Sequence, residues 1–145
     1  MSSGGGILAS TRRERRFAKA ISSLDQVFAL LKEFVDAEGL GPDVEFRLNV
    51  ATEEIFTNFV KYNVGPGSEI LIAVERRAHE AVVELTDFDV EPFSLEDAPP
   101  VDVHAPLEQR RPGGLGLHLV KSLVDKVSFE YRHRALKVSL RKRLD

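Results

Sequence analysis

Residues 69–87 hold two apolar alternations back to back, and no other stretch restricts the fold as much. Ile70, Ile72 and Val74 share one parity within Glu69 to Arg77. In Glu80 to Asp87, Ala81, Val83 and Leu85 stand opposite Val82, Glu84 and Thr86. A period of two sends successive side chains to opposite faces of a strand. The short link Arg77-Ala78-His79 predicts a hairpin. An antiparallel hairpin with an apolar face needs a covering layer.

Helical periods on either side of the hairpin supply that layer. Leu24, Val27, Phe28, Leu31, Phe34 and Val35 recur at helical spacing behind Ser23-Leu24-Asp25-Gln26, a capping-box pattern. Gly39 and Gly41-Pro42 are expected to end this helix. A second helix fits 43–63, with Leu48, Ala51, Ile55, Phe59 and Tyr62 as its apolar stripe and Gly65-Pro66-Gly67 as its stop. A third opens at Gly113-Gly114-Leu115-Gly116 and buries Leu119, Val120, Leu123, Val124 and Val127. Residues 13–21 alternate in part and read as a strand, and 127–132 with 136–142 read as a closing hairpin. The order predicts an α+β two-layer sandwich, a mostly antiparallel sheet with helices on one face.

One domain is expected from 145 residues, spanning 13–145 behind a flexible tail over 1–12. The opening Met-Ser-Ser-Gly-Gly-Gly has no hydrophobic segment of signal-peptide length, and no apolar run approaches membrane-spanning length. The absence of cysteine excludes disulfides and thiolate metal sites, in keeping with a cytoplasmic location. A net charge of −3 argues against a general nucleic-acid binder. Arg12-Arg13-Glu14-Arg15-Arg16 and Arg141-Lys142-Arg143 fall in strand-like segments and read as solvated strand faces. Residues 88–112 carry five prolines and no clear period, which fits a functional lid.

Three groups can carry chemistry. Glu54 and Asn58 lie about 40° apart on one helix face, whereas Glu53 points elsewhere. A carboxylate beside an amide oxygen suits magnesium, which takes few protein ligands, but a solvated helix surface also carries such pairs. Gly113-Gly114-Leu115-Gly116 at a helix entrance forms either a phosphate cradle or a tight turn, and Arg110 and Arg111 upstream can reach a terminal phosphate. Asp87 closes a strand where the proline-rich stretch begins, able to accept from a base amino group or from turn amides. No histidine pair has zinc-ligand spacing, and no P-loop or Gly-x-Ser-x-Gly motif occurs.

In this order the motifs resemble the gyrase, histidine-kinase and mismatch-repair ATPase superfamily. Glu54-Ile55-Phe56-Thr57-Asn58 resembles its N box, and Thr86-Asp87 the start of its adenine box. The stretch from Gly113-Gly114-Leu115-Gly116-Leu117-His118 through Asp125 resembles the glycine-rich box of the anti-sigma-factor serine/threonine kinase branch. The ending Val138-Ser139-Leu140-Arg141-Lys142-Arg143-Leu144 is similar to that branch's last strand. The resemblance implies ATP and Mg2+ as cofactors, with Asn58 holding the metal and Glu54 orienting or deprotonating the attacking hydroxyl. It implies Asp87 on the adenine amino group, amides of Gly113, Gly114, Leu115 and Gly116 on phosphates, Ser139 near adenine, and residues 88–112 as the ATP lid. The implied partner is an anti-anti-sigma (STAS-type) protein, with a sigma factor also sequestered; a homodimer is compatible, and neither nucleic acid nor membrane is expected. Two departures stand out: Asp89 replaces the glycine of the adenine box, with Pro92-Phe93 one residue late, and Tyr62-Asn63-Val64 replaces His-x-Tyr. They leave a second reading open, a non-catalytic protein-binding module that is nucleotide-gated or nucleotide-free.

Overall fold

A computed structural model describes residues 12–62, 69–88 and 114–144. Strand β1 (Arg13–Ala18) leads through a 3-10 turn (Ile21–Ser23) into helix α1 (Leu24–Glu38), followed by α2 (Pro42–Tyr62). The hairpin β2 (Glu69–Arg77) and β3 (Glu80–Asp87) comes next, then α3 (Gly114–Leu123) and the hairpin β4 (Lys126–Arg132) and β5 (Ala135–Arg143). The five strands form one antiparallel sheet in the order β1-β2-β3-β5-β4.

The parity read from the sequence decides which face the helices cover. Ile70, Ile72 and Val74 of β2 join Ala81, Val83 and Leu85 of β3 and Leu136, Val138 and Leu140 of β5 in one core. Leu30, Leu31 and Phe34 from α1, and Leu48, Ile55 and Phe56 from α2, pack into it, and Val120 of α3 closes one flank. Each of these large side chains contributes about 1.5–3 kcal/mol by leaving water.

The local stops follow simple rules. Gly39 ends α1 in the left-handed region at φ 66° and ψ 31°, with its N–H on Asp36 O and Leu40 N–H on Val35 O. Pro42 takes the first position of α2, where its missing N–H costs nothing, so this helix starts one residue earlier than expected. The expected capping box at Ser23 does not form. The 3-10 turn puts Ser23 in the helical region at φ −78° and ψ −11°, whereas a capping side chain needs an extended backbone. Its hydroxyl instead donates to Ala18 O at 2.8 Å, tying the start of α1 to the end of β1. In the β4–β5 turn, His133 and Arg134 both have positive φ, the backbone of a two-residue type I′ hairpin.

The face away from the helices is a lattice of charge. Arg12 reaches Glu14, Glu75 and Glu84, and Arg77 reaches Glu75 and Glu84. Ala73 and Val82 are buried on this face between the charged rows. The basic clusters are partnered by acids: Arg13 and Arg15 with Glu33, Arg16 with Glu69, Arg141 with Glu80, and Lys142 and Arg143 with Asp125. No helix among the described residues is long and apolar enough to cross a membrane.

Candidate functional site

At 100° per residue, Arg47, Glu54 and Asn58 fall within about 40° of one another on α2, beside the core stripe. Arg47 marks where this row leads. Its guanidinium donates to Leu123 O at the end of α3, at 3.3 Å, and to the Asp43 carboxylate at 3.0 Å. The row therefore runs along α3. The ten residues of α3 span about 15 Å, close to the ~16 Å from Arg47 to Asn58 at 1.5 Å per residue.

Topology fixes the direction. Just past α3, Lys126 pairs with Arg141, at the end of the sheet where Glu80 pairs with Arg143. The glycine end of α3 consequently points toward the opposite end, where Asp87 pairs with Ile70 and Leu136. The chain also returns from α2 to the sheet at that end, entering β2 at Glu69. The Glu54–Asn58 turn, the start of α3 and the last residue of β3 thus gather at one end of the sandwich.

Glu54 and Asn58 are half-buried, and Glu53 is exposed. Among the described residues neither the Glu54 carboxylate nor the Asn58 carboxamide is taken up by an ion pair or side-chain hydrogen bond. Their oxygens can accept a ligand. No group of three or more His, Cys, Asp or Glu side chains among the described residues forms a cage. The oxygen pair fits a metal that draws most of its ligands from water and phosphate, as magnesium does. Gly114, Leu115 and Gly116 form the first turn of α3, where backbone N–H groups have no partner within the helix. An anion is favoured there by those amides and by the helix dipole. Arg111 and Gly113, residues 89–112 that are expected to form the lid, including the displaced Pro92-Phe93, and the altered Asn63-Val64 lie outside the described residues.

Asp87 continues the covered parity of Ala81, Val83 and Leu85 and is 0% exposed. The Lys19 ammonium stands 2.8 Å from its Oδ1, and that side chain is only 6% exposed. Sequence reading missed Lys19. The signal was there: Lys19 repeats the parity of Phe17, the one buried residue of β1, so a charge at that place needed a buried partner. On the other face, the Arg16 guanidinium lies 5.3 Å from the ring centroid of Phe88, the next residue of the chain. The structure does not bring Ser139 to this group. Val138 and Leu140 fill the core, so Ser139 faces the other side of the sheet, in register with Glu84 and Ser128. Leu136 is the β5 residue opposite Asp87. His118 is exposed on α3 and apart from the core.

The arrangement offers a carboxylate–carboxamide pair, a helix mouth for an anion and a buried carboxylate acceptor. Comparison with known proteins speaks to the family and the fold. Residues 17–142 match the family described as "Histidine kinase-like ATPase domain". The curated "Serine-protein kinase RsbW" of Listeria monocytogenes is 36% identical over 90 residues, covering 58% of this chain and 57% of the relative. Its Listeria innocua counterpart is 34% identical over 90 residues with the same coverage. The matched region thus spans little more than half the length of these relatives. A solved structure of the RsbU and RsbW domains of a Mycobacterium tuberculosis protein superposes with a TM-score of 0.64 at 16% identity, covering 92% of this chain and 32% of that one. At that identity it speaks for the fold, a five-stranded antiparallel sheet under helices. The chain belongs to the histidine kinase-like ATPase family, and the curated proteins it resembles are RsbW serine-protein kinases.

Proposed function

We propose that this protein is an ATP-dependent serine/threonine kinase that acts as an anti-sigma regulatory factor. Its substrate in this reading is a serine of an anti-anti-sigma (STAS-type) partner, and a sigma factor is the second protein it holds. The observation that carries the reading is the meeting of three groups at one end of the sandwich: the Glu54–Asn58 turn, the glycine start of α3, and Asp87. Their chemistries are those needed to hold a nucleoside triphosphate and move its terminal phosphoryl group.

Phosphoryl transfer depends on positioning and charge stabilisation more than on covalent chemistry by the protein. Asp87 accepts from the adenine amino group and fixes the base. The amides of Gly113, Gly114, Leu115 and Gly116, with Arg111, offset phosphate charge. Asn58 offers its amide oxygen to magnesium, which when bound neutralises charge on the phosphates. Glu54 lies one turn away and takes the proton from the partner's serine hydroxyl as that oxygen bonds to the γ-phosphorus and the bond from that phosphorus to the β–γ bridging oxygen breaks, releasing ADP. A half-buried carboxylate suits that task because it is screened from bulk water yet reachable by an incoming chain.

The test is transfer of labelled phosphate from ATP to a STAS-type partner protein. Glu54→Gln is expected to lower the transfer rate by about 100-fold or more and to leave ATP affinity within about twofold, since the residue faces the acceptor. Transfer at the wild-type rate would remove Glu54 from its role. The replacement of the adenine-box glycine by Asp89 favours a second reading, a protein-binding module that captures its partner without catalysis. Partner binding with no detectable ATP binding in calorimetry would decide for that module, and recovery of ATP binding in Asp89→Gly would locate the cause.

A further inference from the structure

The ion pair between Lys19 and Asp87 is set apart from the other charges of the sheet. Asp87 is 0% and Lys19 6% exposed, whereas Glu84 and Glu75 on the outer face retain 13% and 17%. Burying a charge is costly unless an opposite charge stands against it, and apolar residues in place of such a pair often serve stability as well or better. Stability alone therefore gives no reason for the ion pair, lysine and aspartate together, at this place. The end of β3 is held from both faces by β1 and its extension, Lys19 against Asp87 within and Arg16 over Phe88 without.

We infer that Lys19 is a positioning residue for recognition of the nucleotide base: it holds Asp87 ionised and aimed, so that the carboxylate selects a base with an exocyclic amino group. The inference rests on the role given to Asp87 under Proposed function. An ionised carboxylate only accepts hydrogen bonds, and its two oxygens offer about four lone-pair sites. Oδ1 can hold the ammonium while other sites serve the amino group of adenine. A protonated carboxyl would carry an O–H donor of its own and could face the amino donor with another donor. An ammonium has donors and no acceptor, so it does not compete with Asp87 for the amino group.

The experiment is calorimetric titration of the full chain, in magnesium, with ATP and with purine riboside 5′-triphosphate, which has hydrogen in place of the amino group. The wild type is expected to prefer ATP by about tenfold or more, the range of a hydrogen bond to a charged acceptor. Lys19→Met is expected to cut that preference below about threefold, weakening ATP while the analogue stays within about twofold; Lys19→Arg is expected to keep it. Should the methionine variant not fold, Lys19→Gln retains a donor without the charge and is read on the same ratio, which is expected to fall. Equal weakening of both nucleotides, or an unchanged ratio, assigns Lys19 a purely structural role and overturns the inference. Failure of the underlying reading looks different. A wild type that binds neither nucleotide removes the ATP site, and one that binds both equally removes Asp87 from base recognition.

Discussion

The two faces of the one sheet handle charge in opposite ways. Under the helices the strands present a mainly apolar surface with ion pairs to α1 at its margin, and its one fully buried charge among the described residues, Asp87, is nearly sealed from water with Lys19. On the other face, arginines and glutamates share partners across β1, β2 and β3; Arg12 and Arg77 keep 32% and 40% of their side-chain surface exposed, and Glu75 and Glu84 keep 17% and 13%. Exposed pairs contribute little each, because water and salt screen them and two long side chains must be held still. A buried pair is different: each partner depends on the other, and neither can turn to solvent. The outer lattice reads as solubility and cross-strand pairing, and the inner pair as a site.

The largest effect expected from this contrast is on the inner pair. Lys19→Met or Asp87→Leu alone leaves one charge buried, and each is expected to lower unfolding stability by about 3–5 kcal/mol. The double replacement removes both charges and is expected to come back to within about 1 kcal/mol of wild type or above it. Urea unfolding of the four proteins measures the cycle. Additive losses would mean that the two charges do not depend on each other and would erase the distinction between the faces.

Neighbouring valines sharpen it next. Val82 and Val83 are 1% and 0% exposed, but Val82 sits between Glu75 and Arg141 on the outer face, and Val83 lies in the core. Val83→Ala is expected to cost about 2–3 kcal/mol, because the packed layer relaxes little around the missing methyls. For Val82→Ala the expected loss is about 1 kcal/mol, since long flexible side chains can settle into the space. Equal midpoint shifts in urea would show that the outer lattice packs as rigidly as the core.

The distinction between the faces was legible in the sequence; the pairing across it was not. Period-two parity located β2 and β3, and helical periods located α1 and α2, because burial imposes those repeats on the residues themselves. The Glu54–Asn58 turn and the glycine start of α3 were legible for the same reason, each being a feature within one helix. Lys19 and Asp87 are brought together by β1 and β3 lying on either side of β2, and no local repeat encodes that meeting. Ser139 was misplaced by motif alone. The parity of Leu136, Val138 and Leu140, read first, would have turned it outward. Ser23 failed as a cap because the chain reaches α1 through a 3-10 turn, whose backbone a four-residue pattern does not reveal.

The smaller effects belong to the outer lattice. Arg12→Ala is expected to cost less than about 1 kcal/mol and to cost still less in high salt, as screened pairs do. Acid should reach this face through Glu75. The Arg77 guanidinium that donates to Glu75 at 2.8 Å holds its carboxyl below the usual carboxylate range; partial burial opposes this, and Arg12 adds to it. A depressed folded-state value means that the unfolded chain takes up the proton first. The contribution of Glu75 is therefore full above the usual range and is lost as pH falls through the folded value, from about pH 5 downward. The backbone N–H of Arg143 lowers Asp125 in the same sense, so both act in one window. Urea midpoints measured between about pH 6 and pH 3 are expected to fall in the wild type and to fall less steeply in Glu75→Gln. An identical slope in the variant would mean that the Arg77 contact does not hold in solution, and the lattice would then owe its order to strand pairing alone.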